Sequence, residues 1–168
     1  MSKWCVSVMF ATCLQLFDTG SDVMSYAQGC ELSAALSALG AKTCELRYRA
    51  SRDGYSAKAH HDRCCGQGAL LTVIKDVTGK VFGGYYARQD GKAMMFKAQY
   101  GQMRFYNSCS VYGQRFAHDL DSVTFGGVTM SADLERGVND DDDEEDARGF
   151  LSPYRFKPLD VETWVVSL

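Results

Sequence analysis

The sequence predicts an α+β domain, and three observations carry that prediction. Apolar residues at helical spacing are confined to the front of the chain and to one short later segment. Behind them come several short apolar runs bounded by glycine-containing turns, the pattern of antiparallel strands. A hydrophobic share of 46% with only two prolines among 168 residues suits one compact domain with a real core, and the length is too short for two of ordinary size.

The elements follow in order. Val6, Met9, Phe10, Cys13, Leu14 and Phe17 fall on one helical stripe, with Ser7, Thr12 and Gln15 off it. The alternative is a signal-peptide core behind Lys3, but polar residues interrupt it and no small-x-small site follows cleanly. The stripe is too short to span a bilayer. Residues 1–30 are therefore assigned to an N-terminal amphipathic helix and linker, with a turn at 18–22 (DTGSD), and residues 31–168 to the domain proper. A second helix is predicted over 31–39, with Leu32, Ala35, Leu36 and Leu39 on one face and Gly40 at its C-terminal cap. The run 44–48 (CELRY) alternates as a strand with Cys44, Leu46 and Tyr48 on one side, and RASRDG follows as a tight polar loop in which Gly54 can supply a positive φ. Ser56 is placed to cap a helix over 57–65, closed by Gly66. Runs 70–77 and 80–87 flank Thr78-Gly79 as a hairpin, and Gly83-Gly84 within the second run points to a bulge or a close backbone approach. Runs 103–112, 122–128 and 161–167 complete the predicted strands.

Charge and cysteine content exclude several classes. Net charge is −3, yet residues 140–146 (DDDDEED) hold seven of the 21 acidic groups, so the remainder carries +4. A mildly basic body with one acidic loop at 138–148 lacks the strong basic stripe of a nucleic-acid binder. Seven cysteines, an odd number without CxxC spacing, fit reduced thiols in the cytosol better than a secreted disulfide framework.

Three constellations could carry chemistry. His60 and Cys64, like His61 and Cys65, are one helical turn apart, but the two pairs lie about 100° apart around the axis, so one tetrahedral ion cannot easily take all four. No second ligand-bearing segment is present, and no metal or cofactor is assigned. Nucleophilic catalysis would have to be assembled from Cys64, Cys65 or Ser51 with His61 or His118 and Asp53 or Asp119, none of them in a GxSxG elbow. Arg52 and Asp53 suit either a loop-fixing ion pair, with Asp53 on amides near Gly54, or an exposed recognition loop. Gly83 and Gly84 belong to no phosphate-cradling GxGxxG or GxxxxGK[ST] run.

Residues 47–85, RYRASRDGYSAKAHHDRCCGQGALLTVIKDVTGKVFGGY, resemble the opening core of a TLDc domain, the family of oxidation-resistance-type proteins. That family has a tyrosine-arginine-alanine-serine-arginine-aspartate-glycine run, a histidine-to-cysteine helix, and a strand ending in phenylalanine-glycine-glycine-tyrosine. FYNSCSVYGQRFAHDL (105–120) is similar to a later family segment, and FLSPYRFKPLDVETWVV (150–166) to the closing one, where an edge strand carries a glutamate between apolar residues. The sequence departs in three places. The glycine-rich step before histidine-aspartate-leucine is Arg115-Phe116-Ala117, His60 stands where phenylalanine is frequent, and ARQDGKAMMFKAQY is a short replacement that implies one strand fewer and an exposed edge.

The resemblance implies a two-layer antiparallel β-sandwich with flanking helices. It marks Arg49, Ser51, Arg52, Asp53, Gly54, His61, Cys64, Gly83, Gly84, His118 and Asp119 as family-motif positions with structural or interaction roles. It further implies a non-enzymatic, cytoplasmic protein-interaction module without cofactor, nucleic acid or direct membrane insertion. Its partner would be the peripheral sector of the vacuolar proton-pumping ATPase, with a link to oxidative-stress protection. The alternative is a thiol-dependent redox or hydrolytic enzyme using Cys64 or Cys65, which would need a thiolate of lowered pKa.

Overall fold

The computed structural model describes residues 16–87, 91–107, 122–125, 128–139 and 155–168. The elements bounded within the described residues are, in chain order, α1 (Tyr26–Ala38), β1 (Thr43–Arg49), α2 (Ala50–Asp53), α3 (Ala57–Cys64), β2 (Ala69–Asp76), β3 (Val81–Tyr86), β4 (Ala93–Gln99), β5 (Gln102–Asn107), β6 (Ser122–Phe125), β7 (Val128–Ser131), β8 (Gly137–Asn139), β9 (Arg155–Phe156) and β10 (Pro158–Ser167). Six strands form one antiparallel sheet in the order β1-β10-β2-β3-β4-β5, and four form a second in the order β6-β7-β8-β9. This is the α+β class that the pattern of the sequence predicts and the sandwich that its family resemblance implies.

Two cores sandwich the large sheet. On one face, Leu32 and Leu36 of α1 and the segment Leu16–Met24 pack on Leu71, Val73, Tyr85, Phe96 and Trp164, with Phe17 set edge-on to Trp164. On the other, Ile74, Phe82 and Val161 meet Val123, Val128, Met130 and Leu134 of the small-sheet region, together with Ala57 and Cys64 of α3. Phe82 and Phe156 stack edge to face across this second layer, with ring centroids 4.9 Å apart. Because both faces are covered, β2 (ALLTVIKD) is buried almost throughout and shows no alternation.

Helix α1 begins at Tyr26, five residues ahead of the start read from apolar spacing. The reason is local. Ser25 and Gln28 form a reciprocal capping box that starts the helix before its apolar stripe begins. At the other end the amide of Gly40, at φ +99°, donates to Ser37 and that of Ala41 to Leu36, a Schellman closure.

Several strand expectations change. Cys44, Leu46 and Tyr48 do not share one side of β1. The register shifts between Leu46 and Tyr48, and this bulge sends Cys44 and Leu46 into the α1-side core and Tyr48 into the other. RASRDG is partly helical, residues 50–53 forming the single turn α2 before Gly54 at φ +102°. The run 122–128 is two strands: Phe125 pairs with Val128, so the chain reverses between them. Within the strand predicted over 103–112, β5 covers Gln102–Asn107, and residues 108–112 lie outside the described region.

The short segment after the glycine pair does contain a strand. Ala93–Gln99 pairs with β3 and turns into β5 through Tyr100 and Gly101, both at positive φ as a two-residue hairpin of the primed type requires. The edge of the sheet on this side is therefore β5, where Glu31 of α1 accepts the Met103 amide at 2.8 Å, and β1 lies at the opposite end. Nor is β10 an edge strand. It lies between β1 and β2, which puts its glutamate, Glu162, inside the sheet.

The hairpin of β2 and β3 forms around Thr78-Gly79. Asp76 Oδ1 accepts the Thr78 and Lys80 amides and the Thr78 hydroxyl, and Gly79 sits at φ +87°. The predicted helix over 6–17 lies outside the described residues up to position 15, as do residues 140–146 of the acidic run. No described helix is long and apolar enough to cross a membrane.

Candidate functional site

The motif residues of β1 and α2 come together where the end of β1 meets β10. Arg49 ends β1 and reaches across to the fully buried Glu162, its Nε donating to Glu162 Oε1 at 2.9 Å. The other oxygen of Glu162 accepts the Ser21 hydroxyl at 2.6 Å, and Oε1 also accepts the Asp22 amide at 2.9 Å. Arg49 completes its own bonds with Asp22, 2.6 Å away, and the Gly20 carbonyl. A buried carboxylate is thus matched by a guanidinium, a hydroxyl and a backbone amide, which is what keeps such an ion affordable inside a protein. The segment before α1 is tied to the sheet through this charge network.

Asp53 organises the loop above it. Its side chain is only 7% exposed and accepts the Arg49 amide at 3.0 Å and both Nε and Nη2 of Arg52 at 3.0 and 2.8 Å, with Arg63 Nη2 3.3 Å away. These hydrogen bonds from Arg52, aided by the Arg49 amide and by the charges of Arg52 and Arg63, hold its carboxyl below the usual carboxylate range. The amide Asp53 captures is that of Arg49, at the start of the turn, rather than one beside Gly54. Ser51 is fixed by Asp160, which accepts its amide at 3.0 Å and its hydroxyl at 2.6 Å. The Tyr48 hydroxyl donates to the Gly54 carbonyl at 2.7 Å, so the loop is bonded to β1 from beneath.

Helix α3 starts at Ser56, whose hydroxyl accepts the Ala59 amide at 3.0 Å. It buries Ala57, His60, His61 and Cys64. His60 Nε2 lies 3.0 Å from Thr163 Oγ1, which lies 3.1 Å from Thr72 Oγ1, giving a buried polar relay from α3 through β10 to β2. His60 Nδ1 has no hydrogen-bond partner among the described residues. Burial, with His61 beside it, pushes His60 down to about 3, so the imidazole is neutral at ordinary pH. Its ring stands edge-on to Tyr48 and to His61. The sequence singles out His61 as the family-motif histidine, yet His60 is the one that reaches the sheet; only its place beside that motif could have indicated it.

His61 Nδ1 lies 3.3 Å from the Cys65 sulfur, while Cys64 points into the core and is 1% exposed. Burial pushes the Cys64 thiol up to about 12 and also raises Cys65. Cys30, Cys44, Cys64 and Cys65 are free thiols. Among the described residues no three His, Cys, Asp or Glu side chains converge as a metal-binding group.

The glycine pair lies elsewhere, in β3 at the centre of the large sheet. A Cβ on Gly83 would run into the Thr72 carbonyl oxygen and come within 2.6 Å of Phe96 Cζ, so the close approach expected from sequence is real at this position. Gly84 pairs with Thr72 and Met95. His118 and Asp119 lie outside the described residues.

What the arrangement does chemically is hold a loop. Asp53, Asp160 and Glu162 spend their acceptor capacity on neighbouring amides, hydroxyls and guanidinium groups, while the side chains of Arg52 and Arg63 remain 48% exposed at the rim. Cys64 has no activated thiolate, since a thiol at about 12 is almost wholly protonated at neutral pH. No curated protein matches the chain. A protein-family comparison matches residues 17–167, which spans β1 to β10 together with α1 and the segment tied to Glu162, to the TLDc domain. With most of its length covered by that match, the chain belongs to the TLDc domain family.

Proposed function

We propose that this chain is a non-enzymatic protein-interaction module of the cytoplasm that binds the peripheral sector of the vacuolar proton-pumping ATPase or regulates its assembly. In this reading its link to oxidative-stress protection runs through that partner. The observation that carries the proposal is the internal commitment of the motif residues. Asp53 is bonded to Arg49 and Arg52, Ser51 to Asp160, and Arg49 to Glu162. They stiffen a surface loop from which Arg52 projects, as a recognition loop on a rigid scaffold would.

The rival reading is a thiol-dependent redox or hydrolytic enzyme at Cys64 or Cys65. The 3.3 Å contact between Cys65 and His61 favours it, but both thiols are raised by burial, the reverse of an activated nucleophile. The test is direct mixing of the purified chain with purified peripheral sector, followed by co-elution and cross-linking. Co-elution that survives the double substitution Cys64→Ser and Cys65→Ser supports the interaction module. Failure to co-elute at micromolar concentration rejects this partner. Turnover of a peroxide or ester substrate that disappears in the double variant establishes the enzyme instead.

A further inference from the structure

The burial of Leu16 and Phe17 fixes the side from which the chain ahead of them arrives. Leu16 is helical and 3% exposed, while Phe17 leaves the helix, rests edge-on against Trp164 and forms a single parallel bridge with Cys44. Both pack in the core beneath α1. Because the bridge is parallel, the chain before Phe17 runs back past the start of β1, toward the loop 39–42 that follows α1. The end of β10 lies there too, since Thr43 pairs with Ser167 and the Lys42 amide donates to the Ser167 carbonyl at 2.8 Å.

The apolar residues at this end of the molecule are only partly covered. Ala35 and Leu39, at the end of α1, are half-buried at the margin of the core, and Leu168, just beyond β10, is 38% exposed. The neighbouring flank of α1 carries no charge. Ala34, Ser37 and Ala38 are exposed there, and the one charged residue of the helix, Glu31, is turned to the Met103 amide. A helix flank that faces water ordinarily carries charged side chains.

The sequence ahead of Leu16 supplies a face that matches. Successive helical residues advance by about 100°, which places Val6, Met9 and Cys13 within the arc between Leu16 and Phe17, and Phe10 about 20° beyond it. The two side chains already buried therefore point the same way as the apolar stripe. Residues 4–15 contain no charged side chain, so leaving that stripe in water would forfeit its burial. A segment joined to the core at Leu16 also acts at an effective concentration in the millimolar range, an advantage no separate partner has.

We propose that residues 6–15 continue the helix that ends at Leu16 and lay Val6, Met9, Phe10 and Cys13 on Ala35, Leu39 and Leu168, closing the α1-side core within the same chain.

Two measurements on the full chain test this. Phe10→Glu and Ala11→Glu place the same charge at adjacent positions, one on the stripe and one on the far side of the helix. Phe10→Glu should lower the melting temperature by about 5 °C or more and Ala11→Glu by no more than about 1 °C. Separately, Leu39→Cys is treated with a short bismaleimide, and the linked peptides are located by mass spectrometry. Native Cys13 should be joined to position 39 at monomer mass, in a variant that melts as the parent does. An unchanged melting temperature in Phe10→Glu overturns the proposal, as does an equal fall in both glutamate variants or the absence of the link. A link found only at dimer mass gives the face to a second copy and overturns it as well. So does adsorption to phosphatidylserine–phosphatidylcholine vesicles that Phe10→Glu abolishes without changing the melting temperature, which assigns the stripe to a membrane surface.

Discussion

His60 makes the domain acid-sensitive in a window that can be calculated. Unfolded, its imidazole titrates at about 6.5, whereas in the folded chain burial and His61 hold it down to about 3. A lowered histidine pKa means that the unfolded chain binds more protons between these two values, so stability must fall as pH falls through that interval. At pH 5 the unfolded imidazole is almost fully protonated and the folded one is not. One and a half pH units below 6.5, at 1.36 kcal/mol per unit, gives a loss of about 2 kcal/mol relative to neutral pH. The figure hardly depends on the folded value as long as that lies well below 5.

The substitution His60→Phe, a residue the family frequently has there, removes the titration. It keeps an aromatic ring against Tyr48 and leaves Thr163 bonded to Thr72. Urea denaturation of both proteins at pH 7 and pH 5 then isolates the effect, because His61 and every carboxylate contribute to both. The parent should lose about 2 kcal/mol more than the variant across that interval. Equal losses would refute the argument, and with it the assignment of His60 as a buried neutral imidazole.

Other outcomes follow from the packing and the charge network. Gly83→Ala should cost about 1–3 kcal/mol in chemical denaturation, because the first atom its Cβ meets is the Thr72 carbonyl on the neighbouring strand, which cannot rotate away. Glu162→Ala removes one partner of a buried pair and should cost about 3 kcal/mol, with protease cleavage appearing near residues 18–24 as Ser21 and Asp22 lose their anchor. Cys65 should react with a neutral thiol reagent in the native state well before Cys64, and Cys64→Ser should cost about 1–3 kcal/mol for a hydroxyl placed among apolar neighbours. Neither reductant nor a metal chelator should lower the melting temperature; a clear drop with the chelator would restore the His60, His61, Cys64 and Cys65 cluster as a metal site.

The parts of the fold legible in the sequence are those set by neighbouring residues. Ser56, Gly40 and Thr78-Gly79 act on backbone groups a few positions away, so a cap or a turn announces itself in the residues that make it. Gly83 was readable for a related reason: a glycine inside an apolar strand leaves little else for it to do. What escaped depends on partners distant in sequence. Nothing in CELRY shows that β1 bulges against β10 and turns Tyr48 away from Cys44, because the bulge exists only in the pairing. The same holds for Glu162, which reads as a polar residue on an edge strand until Arg49, Ser21 and Asp22 are seen around it. Residues 93–99 escaped because Lys97 and Gln99 dilute the apolar signal of AMMFKAQ, and the Gln99-Tyr100-Gly101-Gln102 reversal carries only one glycine. In the site, Asp53's choice of the Arg49 amide follows from the helical turn α2 and not from its spacing to Gly54.

The place of β10 has a consequence for the order in which the molecule can be made. β1 and β2 are early in the chain and lie in the same sheet, but they do not touch as strands, since β10 is inserted between them. Until residues 158–167 have left the ribosome, β1 has no strand to pair with on that side and the meander of β2 to β5 has an open edge at β2. The closing step joins residues more than a hundred positions apart, such as Cys44 with Val166 and Arg49 with Glu162, and such long loops close slowly. Synthesis therefore passes through a stage in which the apolar residues of β1 and β2 are present and their shared neighbour is not. A nascent chain of this protein has most need of a chaperone while β1 and β2 are out and β10 is not, and a stop codon ahead of Pro158 would remove the strand on which the whole sheet closes.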